Sequence, residues 1–340
     1  MAPKTILLTG ANGFVAGHIL NVLLDAGYNV LGTVRSTSSA EKVKVTHGRY
    51  GDKLSFALVP DIEAPGAFDE VIKNVDGVIH SASPFHYPVE DNEKQLFQPA
   101  VNGTLRMLEA VHASGNERIK RVVMTSSFAA VLDTTKGLNP GRVYTEADWN
   151  PMTWDQAKVA DGSAAYCASK SFAEKAAWEF VEKHKPAFSV VALCPPMVYG
   201  PPVHLVESME KLNTSSKVIW NLINGSQSTV PPTSFPAFAY VPDLALSHLA
   251  ALERPEAANK RYIITNGPYI NEWLCDFIET KFPQLKGKVP KRDSDKPLPE
   301  FFRVDNARAT KELGMKWTSF EDAFGNAVQS LLDLEKKLAE

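Results

Sequence analysis

Short apolar runs rich in β-branched residues alternate along this chain with longer stretches of helical periodicity. The runs VVMTS (Val122–Ser126) and FSVVALC (Phe188–Cys194) carry almost no polar position on either face. A strand apolar on both faces has to be covered on both, which is the condition of a parallel sheet between helical layers. Candidate strands are Thr5–Thr9, Asn29–Val34, Leu54–Val59, Gly77–Ser81, Arg121–Ser126, Phe188–Cys194 and Arg261–Thr265. Between them, Phe14–Ala26, Ala67–Lys73, Lys94–Ser114 and Ala164–His184 repeat apolar residues at 3.6 spacing. The alternation predicts an α/β fold: an open, doubly wound, Rossmann-like parallel sheet with right-handed crossovers.

After Pro195 the pattern changes. Pro and Gly punctuate CPPMVYGPP, VPPTSFP and KVPKRDSDKPLPE, and helical patterns at Leu205–Leu222, Asp243–Leu252, Asn271–Lys281 and Ser319–Lys337 have too little strand between them for a second large sheet. With 340 residues there is room for roughly two domains. The expectation is a nucleotide-binding domain over residues 1–195, joined by the strand near 261–265, and a smaller, mostly helical substrate lobe over 196–340.

Composition narrows the classes. Apolar residues at 44% and charged residues at 22% suit a folded globular chain. A net charge of −3 gives no support to a nucleic-acid surface. Cys167, Cys194 and Cys275 are odd in number and far apart, which fits neither a disulfide framework nor a metal site and points to a reducing compartment. MAPKTILLTG is soon interrupted by Asn12, His18 and Asn21, unlike a secretory signal, and no stretch of about 18 apolar residues could span a bilayer. A cytoplasmic chain is expected.

TGANGFVAGH, Thr9–His18, lies between a predicted strand and a predicted helix. Gly10 and Gly13 permit a sharp turn and close approach of a pyrophosphate to backbone amides. The helix N-terminus beyond them adds free N–H groups and a partial positive charge, and Ala16 or Gly17 allows tight helix–strand packing. These features predict dinucleotide binding. At the end of the second strand, VLGTVRSTSS has no carboxylate for ribose hydroxyls but offers Arg35, Ser36 and Thr37, which suit a ribose 2′-phosphate. NADPH is the expected cofactor. Asp61 falls where such folds bond the adenine amino group, and a turn-capping role explains it as well. Small residues in HSASP, Ser81 and Ala82 among them, leave room for the cofactor. His80 is read as a core histidine.

Tyr166 and Lys170 in AAYCASK stand four apart on a predicted helix and share a face. A phenol has an ordinary pKa near 10. An ammonium about 5 Å away, at an effective dielectric of 20, favours the phenolate by roughly 3 kcal/mol, or about two pK units. That suits a proton donor and acceptor in turnover. Upstream, Thr125-Ser126-Ser127 ends a predicted strand, at the edge where open α/β sheets bind ligands, and a serine hydroxyl there can donate to a developing oxyanion.

Together TGANGFVAGH, TVRS, VPDI, HSASPF, PAVNGT, RVVMTSSFAAV, WNPMTW, AYCASKSFAEKAAWEF, VYGP and the LGMKW region resemble the extended short-chain dehydrogenase/reductases over nearly the whole chain. The likeness is greatest to the fungal NADPH-dependent methylglyoxal, aldehyde and ketone reductases. Plant dihydroflavonol 4-reductases and cinnamoyl-CoA reductases are more distant. The resemblance implies a catalytic Ser127, Tyr166 and Lys170, with Lys170 also on the nicotinamide ribose. It implies cofactor contacts from Gly10, Asn12, Gly13, Phe14, Val15, Arg35, Ser36, Asp61, Ile62, Ser81, Ala82, Pro195, Met197 and Val198. Phe85, Phe128 and Tyr199 would line the substrate pocket or, as aromatics, belong to the core. Asn102 would hold the lysine and a proton-relay water, or bond only to backbone. The third glycine is replaced by Ala16, and Ser39 stands four after Arg35, where the yeast member carries a second basic residue, which leaves room for some NADH use.

The implied partner is a small aldehyde or ketone, with no metal, nucleic acid or membrane, for a monomer or homodimer. Two other readings are a redox sensor that binds the dinucleotide without turnover and a sugar-nucleotide epimerase or dehydratase. A sensor is expected to lack the Tyr/Lys pair. A dehydratase needs an added acid/base pair, and TSSFAAV offers no acid beside Ser127.

Overall fold

The computed structural model describes residues 4–83 and 89–340. Its strands are β1 (Thr5–Thr9), β2 (Asn29–Val34), β3 (Leu54–Leu58), β4 (Gly77–His80), β5 (Arg121–Thr125), β6 (Val143–Tyr144), β7 (Ser189–Cys194), β8 (Met197–Tyr199), β9 (Ala237–Tyr240), β10 (Lys260–Ile263), β11 (Gly267–Pro268) and β12 (Arg303–Val304). The helices are α1 (Phe14–Asp25), α2 (Thr37–His47), α3 (Asp69–Ile72), α4 (Gln98–Ser114), α5 (Trp154–Lys158), α6 (Gly162–His184), α7 (Thr214–Ile223), α8 (Val241–Glu253), α9 (Asn271–Lys281), α10 (Ala307–Glu312) and α11 (Phe320–Ala339).

Seven strands form one sheet in the order β3-β2-β1-β4-β5-β7-β10, and every pairing is parallel. The period of two in each strand divides the core. From β1, Ile6 and Leu8 join one apolar cluster with Ile19, Leu20 and Leu23 of α1 and Leu244 of α8. Leu7 faces the other, with Met107 and Leu108 of α4 and Ala177 of α6. The same split holds in β7, where Val191 and Leu193 go one way and Val190 and Ala192 the other. Helices on both faces therefore follow from strands that are apolar on both. The chain winds outward through β2 and β3, then returns to β4 on the opposite side of β1. That reversal opens a crevice at the carboxyl ends of β1 and β4, where such folds bind ligands.

Beyond Tyr199 a second apolar core gathers Ile219 and Leu222 of α7, Leu274 and Ile278 of α9, and Phe324, Val328 and Leu331 of α11 around Phe238 of β9. A three-stranded sheet, β11-β9-β8, carries this lobe. Two expectations need correction. The helix expected over Asp243–Leu252 is α8, and it packs on the main sheet against α1 rather than in the lobe. The helix expected over Leu205–Leu222 begins only at Thr214. Ahead of it Leu212 is buried in an extended conformation (ψ 143°), and Glu207 is drawn to Lys42 of α2 at 2.9 Å.

Gly32 of β2 lies under the loop after β1, where a Cβ would stand 2.8 Å from that of Ala11. Contact at that distance forces the two segments apart, so Gly32→Ala is expected to cost about 1–3 kcal/mol and lower the melting temperature by a few degrees in calorimetry.

Candidate functional site

The crevice is a groove of about 410 Å³ lined by the ends of four successive strands: Gly10, Asn12 and Gly13 after β1, Thr33 to Arg35 at the end of β2, Val59 to Glu63 after β3, and Ser81 to Ser83 after β4. Its walls are stitched by one hydroxyl. Thr9 Oγ1 accepts the amide N–H groups of Ser81 (3.0 Å) and Ala82 (2.9 Å), which leaves its single proton for Nδ1 of His80 at 3.0 Å. His80 is a buried core histidine, held neutral with a pKa pushed down to about 4 by burial and, secondarily, by the charge of Lys170. The stitching presses the loops together at Gly10. This residue has φ +69°, and a Cβ there would meet the Ala82 backbone at 3.1 Å. Gly13 caps α1 with no side-chain hydrogen bond, so first-turn amides at Phe14 and Val15 are available to an anion.

The part of the groove at the ends of β2 and β3 holds the specificity candidates. Arg35 is exposed and lines the groove at the end of β2. Ser36 caps α2, its hydroxyl accepting the Ser39 amide at 3.2 Å and lying 3.1 Å from the Ser39 hydroxyl. Asp61 takes up the turn-capping role, with Oδ1 accepting the Glu63 amide at 2.8 Å, and it lines the groove as well. Ile62 lies over Gly103 of α4. Asn102 reaches the Glu63 carboxylate. Glu63, carrying a pKa raised chiefly by burial, was not anticipated as a groove residue.

Helix α6 carries both members of the candidate Tyr/Lys pair. Asp161 caps it by accepting the amides of Ser163 (2.9 Å) and Ala164 (3.0 Å), which sets Tyr166 in the first turns and Lys170 one turn later. Lys170 Nζ stands 5.3 Å from the centre of the Tyr166 ring and donates to Ser83 Oγ, a groove residue that sequence reasoning left unassigned within HSASP. Burial pushes the lysine pKa down from the ordinary 10.5 to about 8.

At the end of β5 three neighbouring hydroxyls go three ways. Thr125 meets His248 of α8 at 2.8 Å, Ser126 donates to Glu174 of α6 at 2.6 Å, and half-buried Ser127 caps the turn Phe128–Ala130 by accepting the Ala129 amide at 3.1 Å. That cap uses a lone pair of Ser127 and leaves its proton as a donor. The Phe128 amide bonds the Pro195 carbonyl at 2.8 Å, which draws the start of β8 beside this turn. There Met197 and Val198 are half-buried, one against the lobe core and the other against the sheet core.

The aromatic candidates fare differently. Phe128 is 1% exposed and packs against Tyr144 and Phe302. Tyr199 is 1% exposed and bonds the Tyr269 hydroxyl at 2.6 Å inside the lobe core. Of the two readings left open, both side chains fit membership of a core cluster. Phe85 lies outside the described residues. Among the described residues no group of three or more His, Cys, Asp or Glu side chains could hold a metal, and no helix is long and apolar enough to cross a membrane.

The model of the NAD dependent epimerase/dehydratase family matches residues 6–265, most of the chain. The chain belongs to this family. Among family relatives, a Saccharomyces cerevisiae NADPH-dependent methylglyoxal reductase is 34% identical, covering 98% of this chain and 100% of its own. An Aspergillus niger ketoreductase is 36% identical, covering 97% and 98%. The crystal structure of yeast methylglyoxal/isovaleraldehyde reductase complexed with NADPH superposes with a TM-score of 0.89 at 33% identity, covering 98% of this chain and 99% of that one.

Burying the Lys170 ammonium has a cost that the fold bears. The folded pKa of about 8 lies below the unfolded 10.5, so below pH 8 both states are charged and the full penalty applies. It fades between about pH 8 and pH 10.5 and is absent well above that range, where both states are neutral. Lys170→Met is therefore expected to stabilise the fold by on the order of 2–3 kcal/mol at neutral pH, with the gain shrinking above pH 8 in denaturant titrations.

Proposed function

We propose that this chain is an NADPH-dependent carbonyl reductase acting on small aldehydes and ketones. The observation that carries the reading is the placement of Lys170, whose ammonium joins Ser83 of the groove to the Tyr166 ring. The groove fits the dinucleotide on its own features: the side-chain-free approach at Gly10, the uncapped N-terminus of α1, and a guanidinium in place of a carboxylate at the end of β2. The yeast and Aspergillus relatives, a methylglyoxal reductase and a ketoreductase by name, support the substrate class.

Bound NADPH supplies the hydride that the carbonyl carbon receives. The protein's part is to hold the carbonyl oxygen and protonate it. Ser127 and Tyr166 both donate to that oxygen, and Tyr166 Oη releases its proton to it. The phenolate left behind is stabilised by the Lys170 ammonium, which desolvation makes a stronger electrostatic partner than an exposed amine. Ser83, by accepting from Nζ, keeps the ammonium directed between groove and phenol. Arg35 would meet the 2′-phosphate, and Asp61 and Ile62, which also line the groove, would hold the adenine.

A cytoplasmic setting accords with the three cysteines, which are free and buried. Cys167 and Cys275 have pKa values pushed up to about 12 chiefly by burial, which suppresses their thiolates.

Tyr166→Phe should reduce kcat by about 10²-fold or more while NADPH affinity, read by fluorescence quenching, stays within a few-fold. Near-normal turnover in that variant would remove tyrosine as the acid. Arg35→Ala should raise KM for NADPH about tenfold and leave KM for NADH nearly unchanged, since a forked charge-assisted contact is lost with one cofactor only. Equal effects on both would remove Arg35 as the phosphate anchor.

A further inference from the structure

The face of α6 that bears Tyr166 and Lys170 continues, four residues after the lysine, to Glu174. This carboxylate has no solvent exposure, and Arg261, its ionic partner from β10, is only 7% exposed. Glu174 accepts from Arg261 Nε at 2.8 Å and Nη2 at 3.1 Å, from Ser126 Oγ at 2.6 Å, from Trp178 Nε1 at 3.1 Å and from Cys194 Sγ at 3.4 Å. Arg261 also donates from Nη1 to the carbonyls of Glu146 and Asp148 and lies 3.6 Å from the centre of the Trp149 ring. One carboxylate thus fastens α6 to the carboxyl ends of β5 and β7 and to Arg261 within β10.

A buried ion pair is a poor source of net stability, because desolvation of both charges offsets their attraction. What it supplies is fixed geometry. Ser126 directly precedes Ser127, and Glu174 sits about 6 Å along the helix from Lys170 and about 12 Å from Tyr166. The two groups that must meet on one carbonyl oxygen therefore come from elements bolted together at this carboxylate. We infer that Glu174, through Ser126 and Arg261, is a positioning residue that sets the separation between the Ser127 hydroxyl and the Tyr166 phenol. This rests on the reductase reading above. It adds that catalytic alignment depends on a bracket remote from the cofactor groove. Misplacement of reacting groups by about 1 Å can cost on the order of 10² in rate, so the bracket should register in kcat and not in cofactor binding.

The test compares Ser126→Ala and Glu174→Asp with the wild type, using NADPH and an activated ketone, together with melting temperature. Ser126→Ala removes one hydroxyl and keeps the ion pair, whereas Glu174→Asp keeps the charge and withdraws it by one methylene. The expected result is a kcat about tenfold lower in each soluble variant, with KM for NADPH within twofold and, for Ser126→Ala, a melting temperature within a few degrees of wild type. Should one variant be insoluble, the other decides. An unchanged kcat overturns the inference, and so does a joint fall of kcat, NADPH affinity and thermal stability, which is what a merely structural role would give. Absence of turnover in the wild type overturns the reductase reading itself and the inference with it.

Discussion

A primary amine in the interior of a protein is an expensive arrangement, and the rest of this structure is organised around making one useful. Lys170 lies against the Tyr166 ring on one side and the Ser83 hydroxyl on the other, with burial lowering its pKa to about 8. It remains mostly charged at neutral pH, and in these surroundings its field on the phenol is weakly screened. The neighbouring His80 is kept neutral, so the ammonium meets no competing cation from that side. Charge is concentrated beside the Tyr166 ring.

The sheet explains why that charge faces a nucleotide groove. Strand order reverses between β1 and β4, and the loops after both strands are held together by Thr9. Ser83 belongs to the second of these loops, so the lysine beside the Tyr166 ring also touches the groove wall. A change in the tightness of the β1–β4 stitch would be felt at both places. The same economy appears at the end of β5, where Thr125, Ser126 and Ser127 join a helix on one face, a helix on the other, and the site between them.

Much of this was legible in the sequence. Strands apolar on both faces gave the seven-stranded sheet to within a residue or two at most ends, because burial on two sides leaves little freedom in composition. The Gly10–Gly13 loop was readable because a requirement for backbone approach is written directly as glycine. Helix α2 is not legible although Ala40, Val43 and His47 are buried at helical spacing, because most of its other residues are polar and Val45, which is apolar, faces solvent. The short β9, AFAY, offers no alternation to read, since all four of its residues are buried. Phe128 and Tyr199 read equally as pocket or core, because an aromatic next to a motif does not reveal which way it points. Ser83, Glu63 and Glu174 act through partners 87, 39 and 48 residues away for Lys170, Asn102 and Ser126, and no local pattern announces contacts of that range.

The account stands on the protonated state of one buried lysine. The most direct test is the single-turnover rate of NADPH oxidation with an activated ketone, followed between about pH 6 and pH 10 in the wild type and in Lys170→Met. The wild-type rate should hold at neutral pH and decline as pH passes about 8, where the ammonium is lost, whereas Lys170→Met should be slow and lack that decline. A wild-type rate that is flat through this range, or a methionine variant with the same profile and amplitude, would contradict it.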